Sequence, residues 1–150
     1  MKVLKLSEIS NHVGEEMGVS EWVQIDQDRV NKFADATGDH QWIHIDVERA
    51  KRELPTNGTI AHGYLTLSLI PFLAAKISRI DGVTRGINYG SNKVRFTSMV
   101  PVGSKVRARS KLISAEPKGP GIQLINEITI EIEGQERPAC VAETISLVYP

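Results

Sequence analysis

The chain has 150 residues, with 18 lysines and arginines balancing 18 aspartates and glutamates, 41% hydrophobic residues and 24% charged ones. A chain of this size buries about 70% of its unfolded surface, so one domain over residues 1–150 needs no disulfide or metal staple, and the composition excludes a disordered tail or a membrane protein. Zero net charge removes the usual electrostatic basis for binding nucleic acid or an anionic membrane, and the single cysteine, Cys140, excludes an internal disulfide and a paired-cysteine zinc site.

The opening stretch from Met1 to Glu8 lacks the apolar core and cleavage site of a secretory signal, so a cytoplasmic location is the expectation. Ser7 is placed to cap a short helix running to Val13 and ended by Gly14. Glu21 to Ile25 alternates like a half-buried strand. Asp26 is a good N-cap for a helix over residues 27–37, whose Val30, Phe33, Ala34 and Thr37 recur at helical spacing before Gly38 ends it. Gly38 to Ile45 reads as a loop, Asp46 as the cap of a further helix to Arg52, and Leu54 to Gly58 as a connection.

From His62 to Ile80 runs the most apolar helix, with Leu65, Leu67, Leu69, Ile70, Phe72, Leu73, Ala74 and Ile77 spread around its circumference. Such a helix is buried on nearly all sides, and Pro71 kinks it or breaks it in two. Its polar residues His62, Ser68, Lys76, Ser78 and Arg79, together with Pro71, argue against a membrane span. The remainder alternates with period two in four strands, around Lys93–Thr97, Lys105–Leu112, Ile122–Glu133 and Ala139–Tyr149. A hairpin about Gly119 sets Lys111 against Glu127, Arg107 against Glu131 and Lys105 against Glu133. This basic row reads as a solvated sheet face fixing register more readily than as a phosphate stripe. The expected class is α+β, a curved antiparallel sheet around one helix.

Asp39 and His44 stand out in the polar loop beside that helix. A carboxylate and an imidazole five residues apart across a turn can converge on one water. On spacing alone a plainer reading prevails, with Asp39 in an Asx turn and His44 in a satisfied semi-buried position. His40 and His44 share a metalloprotease spacing, but Gln41 stands where the catalytic glutamate would be, so no metal is expected. Gly63, opening the buried helix, offers a free amide that can stabilise an oxyanion, or simply permits close packing. His62 reads as a capping or loop residue, and Cys140 as a packing residue.

Phe33-Ala34-Asp35-Ala36-Thr37-Gly38-Asp39-His40-Gln41-Trp42-Ile43-His44, then Ile60-Ala61-His62-Gly63-Tyr64-Leu65, Val94-Arg95-Phe96 and Pro101-Val102-Gly103, together resemble the MaoC-like dehydratase family. This is the hotdog-fold group that includes (R)-specific enoyl-CoA hydratases, or hydratase 2. The likeness runs from about Trp22 to Val148 and is strongest to the branch related to nodulation protein N, through Gly38 to His44 and Asn88-Tyr89-Gly90. It implies a single hotdog, a long central helix wrapped by about five antiparallel strands, in homodimers with active sites near the interface. It further implies that Asp39 and His44 are the catalytic pair and Gly63 the backbone oxyanion donor. The reaction implied is reversible addition of water to a trans-2-enoyl-CoA, giving (R)-3-hydroxyacyl-CoA in fatty acid metabolism. The implied partner is a small acyl-CoA thioester, with no metal, no other cofactor, no nucleic acid and no membrane. Two departures bear on substrate shape: Gln41-Trp42 replaces the usual Asn-Pro, and Pro71 falls where many members have serine. A hotdog acyl-CoA thioesterase and a non-catalytic acyl-CoA or acyl-carrier binding module remain the alternatives.

Overall fold

The computed structural model describes residues 1–150. Along the chain come β1 (Lys2–Lys5), a 3-10 turn (Leu6–His12), β2 (Glu16–Val19), β3 (Val23–Gln24), α1 (Gln27–Thr37), α2 (Trp42–Ile45), α3 (Val47–Glu53), α4 (Gly63–Ser68), α5 (Ile70–Ala74), β4 (Ser78–Asp81), β5 (Arg85–Phe96), β6 (Lys105–Lys118), β7 (Gly121–Ile132) and β8 (Cys140–Tyr149).

Local chemistry sets the boundaries of α1. Asp26 is its N-cap, accepting from the Arg29 amide at 2.8 Å, and Gly38 closes it at φ 83°, in the left-handed region that glycine adopts freely. Asp46 caps α3 in the same way, through the Arg49 amide at 3.1 Å. The segment before it differs from a plain loop: Trp42 opens one helical turn, and the Arg49 guanidinium lies 4.0 Å over its ring.

Pro71 divides the apolar helix into α4 and α5. It stands in the first turn of α5, where its missing N–H costs no hydrogen bond, while Leu69 keeps helical dihedrals and its carbonyl accepts from the Leu73 amide at 3.0 Å. Helical structure ends at Ala74 rather than continuing to Ile80. Ser78–Asp81 instead forms β4, paired in parallel with β1, so the N-terminus closes one end of the molecule. The two segments are also less enclosed than expected, since Tyr64 and Phe72 are exposed.

The main sheet has the order β2-β6-β7-β8-β5, with β3 also paired to β6, and its long neighbours are antiparallel. Arg107 faces Glu131 and Lys111 faces Glu127, as the charge rows require, and the Glu133 amide donates to the Lys105 carbonyl. Arg107 and Arg109 both pair with Glu131, on the solvated face. The opposite face packs α5 on β6 and α4 on β8. Leu65, Leu69, Ile70 and Leu73 meet Val106, Ala108, Leu112, Ile128 and Ile130 in one core of 24 buried residues. Each large aliphatic side chain buried there contributes about 1.5 to 3 kcal/mol of transfer free energy. This is the helix-in-sheet hotdog architecture, and it fixes the start of α4 beside the loop that leaves α1.

Candidate active site

Three segments meet at the N-terminus of α4: the loop after α1 with Asp39, the single turn α2 with His44, and the chain Ile60-Ala61-His62-Gly63. Gln27 on α1 ties the second to the third. Its amide nitrogen donates to the His44 carbonyl at 2.7 Å and its amide oxygen accepts from the Thr59 hydroxyl at 2.6 Å. The Ile60 amide donates to the Ile43 carbonyl at 3.0 Å.

His44 is 6% exposed. Its Nδ1–H donates to the Ile60 carbonyl at 2.7 Å, which fixes the tautomer and leaves Nε2 as a bare acceptor. Burial holds its pKa below the ordinary histidine value. The bond to Ile60 opposes that shift, His62 adds to it, and Asp39 counters it. Asp39 is exposed and makes the Asx contact of the plainer reading, Oδ1 accepting from the Gln41 amide at 3.3 Å. His44 likewise fills a satisfied buried position. Both plain roles leave chemistry over, a second carboxylate oxygen and an imidazole nitrogen.

His62 is the residue that sequence reasoning undervalued. It is 2% exposed and stacks on His44 with ring centroids 3.8 Å apart and planes 21° apart, while Phe33 packs at its other side. Its Nε2–H donates to the Asp39 carbonyl at 3.0 Å, and its Nδ1 is sealed from solvent without a partner. One side chain thus touches the loop carrying Asp39 and the ring of His44, and its own backbone leads into Gly63. The available signal was a polar residue within the apolar run Ile60-Ala61, directly before a helix.

The polar atoms of Asp39, His44 and His62 lie within 4.8 Å of one another, close enough for a metal ion. His62, however, has its Nε2–H engaged by the Asp39 carbonyl and its Nδ1 sealed, and His44 has its Nδ1–H engaged by Ile60, so as arranged only His44 Nε2 and the Asp39 carboxylate are free to meet a guest. His40 belongs elsewhere. Its Nε2 meets Asp35 at 2.9 Å on the surface, and that hydrogen bond raises its pKa.

The Gly63 N–H is the first of α4 and donates to no acceptor in the chain. A Cβ at this position would lie 2.7 Å from Cδ2 of Phe96, so glycine is what lets β5 approach the amide. A cavity of about 260 Å³ brings His44, Gly63, Thr66, Phe96 and Met99 to common walls. The sequence-derived residues Asp39, His44 and Gly63 are therefore gathered at one helix N-terminus. Cys140 is buried in β8, with burial pushing its thiol up to about 11, and takes no part.

A family model described as MaoC like domain matches residues 8–128. A 3-hydroxyacyl-thioester dehydratase Z of Mycobacterium tuberculosis is 52% identical over 141 residues, covering 93% of each chain. Nodulation protein N of Rhizobium leguminosarum is 43% identical over 150 residues, covering 99% of this chain and 93% of its own. Among solved structures, the (R)-hydratase of A. caviae involved in PHA biosynthesis superposes with a TM-score of 0.70 at 23% identity, covering 92% of this chain and 96% of that one. The R-hydratase PhaJ1 of Pseudomonas aeruginosa gives 0.71 at 21% identity, covering 91% and 81%. With the hotdog fold, the residues gathered at the start of α4 and this likeness over nearly the whole length, the chain belongs to the MaoC-like dehydratase family.

Proposed function

We propose that this protein is an (R)-specific enoyl-CoA hydratase acting reversibly in fatty acid metabolism, with Asp39 and His44 as its acid/base pair and the Gly63 amide as its oxyanion donor. The enzyme is of the hydro-lyase class to which its dehydratase relatives belong. The observation that supports the finer reading is a tautomer-fixed His44, bare at Nε2, whose polar atoms come within 4.8 Å of those of Asp39, at the same helix start as an unpartnered amide.

The thioester carbonyl accepts from Gly63 N–H. That bond strengthens as the carbonyl gains enolate charge, aided by the positive end of the helical amides. Asp39 and His44 hold one water against the β carbon. One of the pair takes its proton as the C–O bond forms, and a proton returns to the α carbon, leaving a 3-hydroxyacyl thioester. No redox change occurs, so the atoms balance with water alone.

A longer acyl group has room on the inner face of the sheet. A cavity of about 550 Å³ lies about one to three turns beyond Gly63, against Leu67, Ile70, Pro71 and Ala74 of the helix. A homodimer fits the same reading: Tyr64, Phe96 and Met99 stand exposed around Gly63, and β5 presents a twelve-residue sheet edge. No helix is long and apolar enough to cross a membrane, and we propose a cytoplasmic location.

Two expected results follow from the geometry. Because burial lowers the His44 pKa, the neutral base persists below the ordinary value of about 6.5, and kcat/KM is expected to fall only at more acid pH. The same shift means stability is complete above that ordinary value and declines as pH falls toward the depressed one. A pH profile of kcat/KM, with thermal melts over the same range, checks both. Gly63→Ala is expected to lower kcat at least tenfold by forcing Phe96 off the amide, and Phe96→Leu in the same chain is expected to restore part of it. Steady-state kinetics on both variants reads this directly.

Incubation with a trans-2-enoyl-CoA tests the assignment against its rivals. Hydration removes the conjugated absorbance without releasing thiol. Stoichiometric thiol release indicates a thioesterase, and binding without either change indicates a carrier module.

A further inference from the structure

The inner face of the sheet breaks its own pattern at one place. Along β6 the inward side chains run Val106, Ala108, Ser110, Leu112, all buried; along β7 they run Leu124, Asn126, Ile128, Ile130, of which Asn126 alone is half-buried; along β8 Ala142 is followed on that face by Thr144 and Ser146. Register carries the polar positions across neighbouring strands. Asn126 faces Thr144, Thr144 faces Ser91 and Ser146 faces Asn88, while Ser110 faces Ile128 beside them. Six hydroxyl and amide side chains thus form one patch where the rest of this face is aliphatic.

All six line the cavity of about 550 Å³ whose opposite wall is the α4–α5 helix. Ser110 is only 5% exposed. No side-chain hydrogen bond within the chain engages any of the six. Asn88 and Ser91 are exposed on the edge strand, Asn126, Thr144 and Ser146 are half-buried and Ser110 lies deepest, so the patch runs from the sheet edge into the cavity that all six line. Polar groups at inward positions cost stability unless something satisfies them, and such departures from local pattern concentrate where a guest is bound. The lining contains no charged side chain. A carboxylate, phosphate or ammonium would therefore enter uncompensated, whereas a hydroxyl, ketone or ether can use donors and acceptors together.

We infer that this cavity accepts an acyl group bearing a second, neutral oxygen function beyond C3, so that the substrates of this enzyme are acyl thioesters oxygenated further along the chain. The inference rests on the acyl-thioester reading and adds to it the chemistry of the acyl chain. The aliphatic wall from Leu67, Ile70, Leu124 and Ile128 takes the methylene groups, and the patch around Asn126 and Thr144 takes the oxygen.

Titration calorimetry with octanoyl-CoA and counterparts carrying one hydroxyl or keto group at C5 or beyond tests this on the intact protein, since these saturated ligands have no C3 oxygen to engage the acid/base pair and report binding without turnover. At least one oxygenated ligand is expected to bind about 3- to 10-fold more tightly than octanoyl-CoA, the gain of one or two net hydrogen bonds. Thr144→Val, which keeps shape, and Thr144→Val with Asn126→Leu are expected to reduce and then invert that preference, with thermal melts confirming folded protein. Equal or weaker binding of every oxygenated ligand overturns the inference, as does a preference that survives the double substitution. Turnover of crotonyl-CoA by the unaltered enzyme, run in parallel, reports separately on the hydratase assignment.

Discussion

Asp39→Asn and His44→Gln are each expected to lower kcat for enoyl-CoA hydration by about 10²-fold or more while leaving the fold intact, the usual effect of losing a positioned acid or base. Asn keeps the Asx acceptor toward the Gln41 amide but cannot carry a proton. Gln at 44 keeps a polar group near Ile60 but loses the bare nitrogen that the Nδ1 bond exposes. Because both groups would act on one water, the double variant is expected to lose little beyond the worse single one. Kinetics of the three variants, with circular dichroism to confirm folding, decides the matter. Normal turnover by either single variant, or losses that multiply in the double one, contradicts a shared water.

His62 carries the second large effect, and its signature is a divergence between activity and stability. We expect His62→Phe to lower kcat by about 10- to 100-fold with little change in KM, because the donor that holds the Asp39 carbonyl is lost while a ring remains against His44. His62→Gln, whose side-chain nitrogen can occupy the Nε2 position, is expected to recover much of that loss. The unpartnered Nδ1 disappears in the phenylalanine variant, and burying such an acceptor costs about 1 to 3 kcal/mol. Its thermal midpoint is therefore expected to equal or exceed that of the unaltered protein. A residue that merely filled space would show the opposite, with phenylalanine tolerated in kinetics and glutamine harmful to stability.

How much of this was written locally in the chain can be judged element by element. Both ends of α1 were legible because Asp26 and Gly38 act on their immediate neighbours. The β6–β7 register was legible because opposite charges alternate on both strands, although the bulge between Leu112 and Ser114 shifts it near the turn. The β1–β4 pair was not, since it joins Lys2 to Ser78 in parallel and Ile77 to Ile80 suits a helix as well as a strand. The N-terminal half of β5 was equally silent. It is exposed along its length and bulged between Asn88 and Gly90, so it shows no period. β2 is four residues long and includes Gly18 at φ 136°.

For the site, spacing raised Asp39 and His44 but could not separate an Asx turn from an acid/base pair, and the structure shows the Asx contact while bringing polar atoms of the two side chains within 4.8 Å of each other. Gly63 was raised by its place at the start of the apolar helix, as an oxyanion donor or a close-packing glycine; the likeness to MaoC-like proteins implied the donor role, and the Phe96 approach supplies the packing one. His62 read as a capping or loop residue, and it does stand at the N-cap of α4, but its further contacts are a stack and a bond to residues 18 and 23 positions away, which no local pattern encodes. The polar patch was visible in part, as Ser110 and Asn126 interrupt otherwise apolar alternation, but its continuity across four strands needed the register.

Stereochemistry tests the central claim most directly. The protein is incubated with crotonyl-CoA and longer trans-2-enoyl-CoA substrates, and the hydrated products are resolved by chiral chromatography. The account predicts (R)-3-hydroxyacyl-CoA on at least one chain length, formed without thiol release and lost in Asp39→Asn. An (S) product, or no hydration at any length, would contradict it.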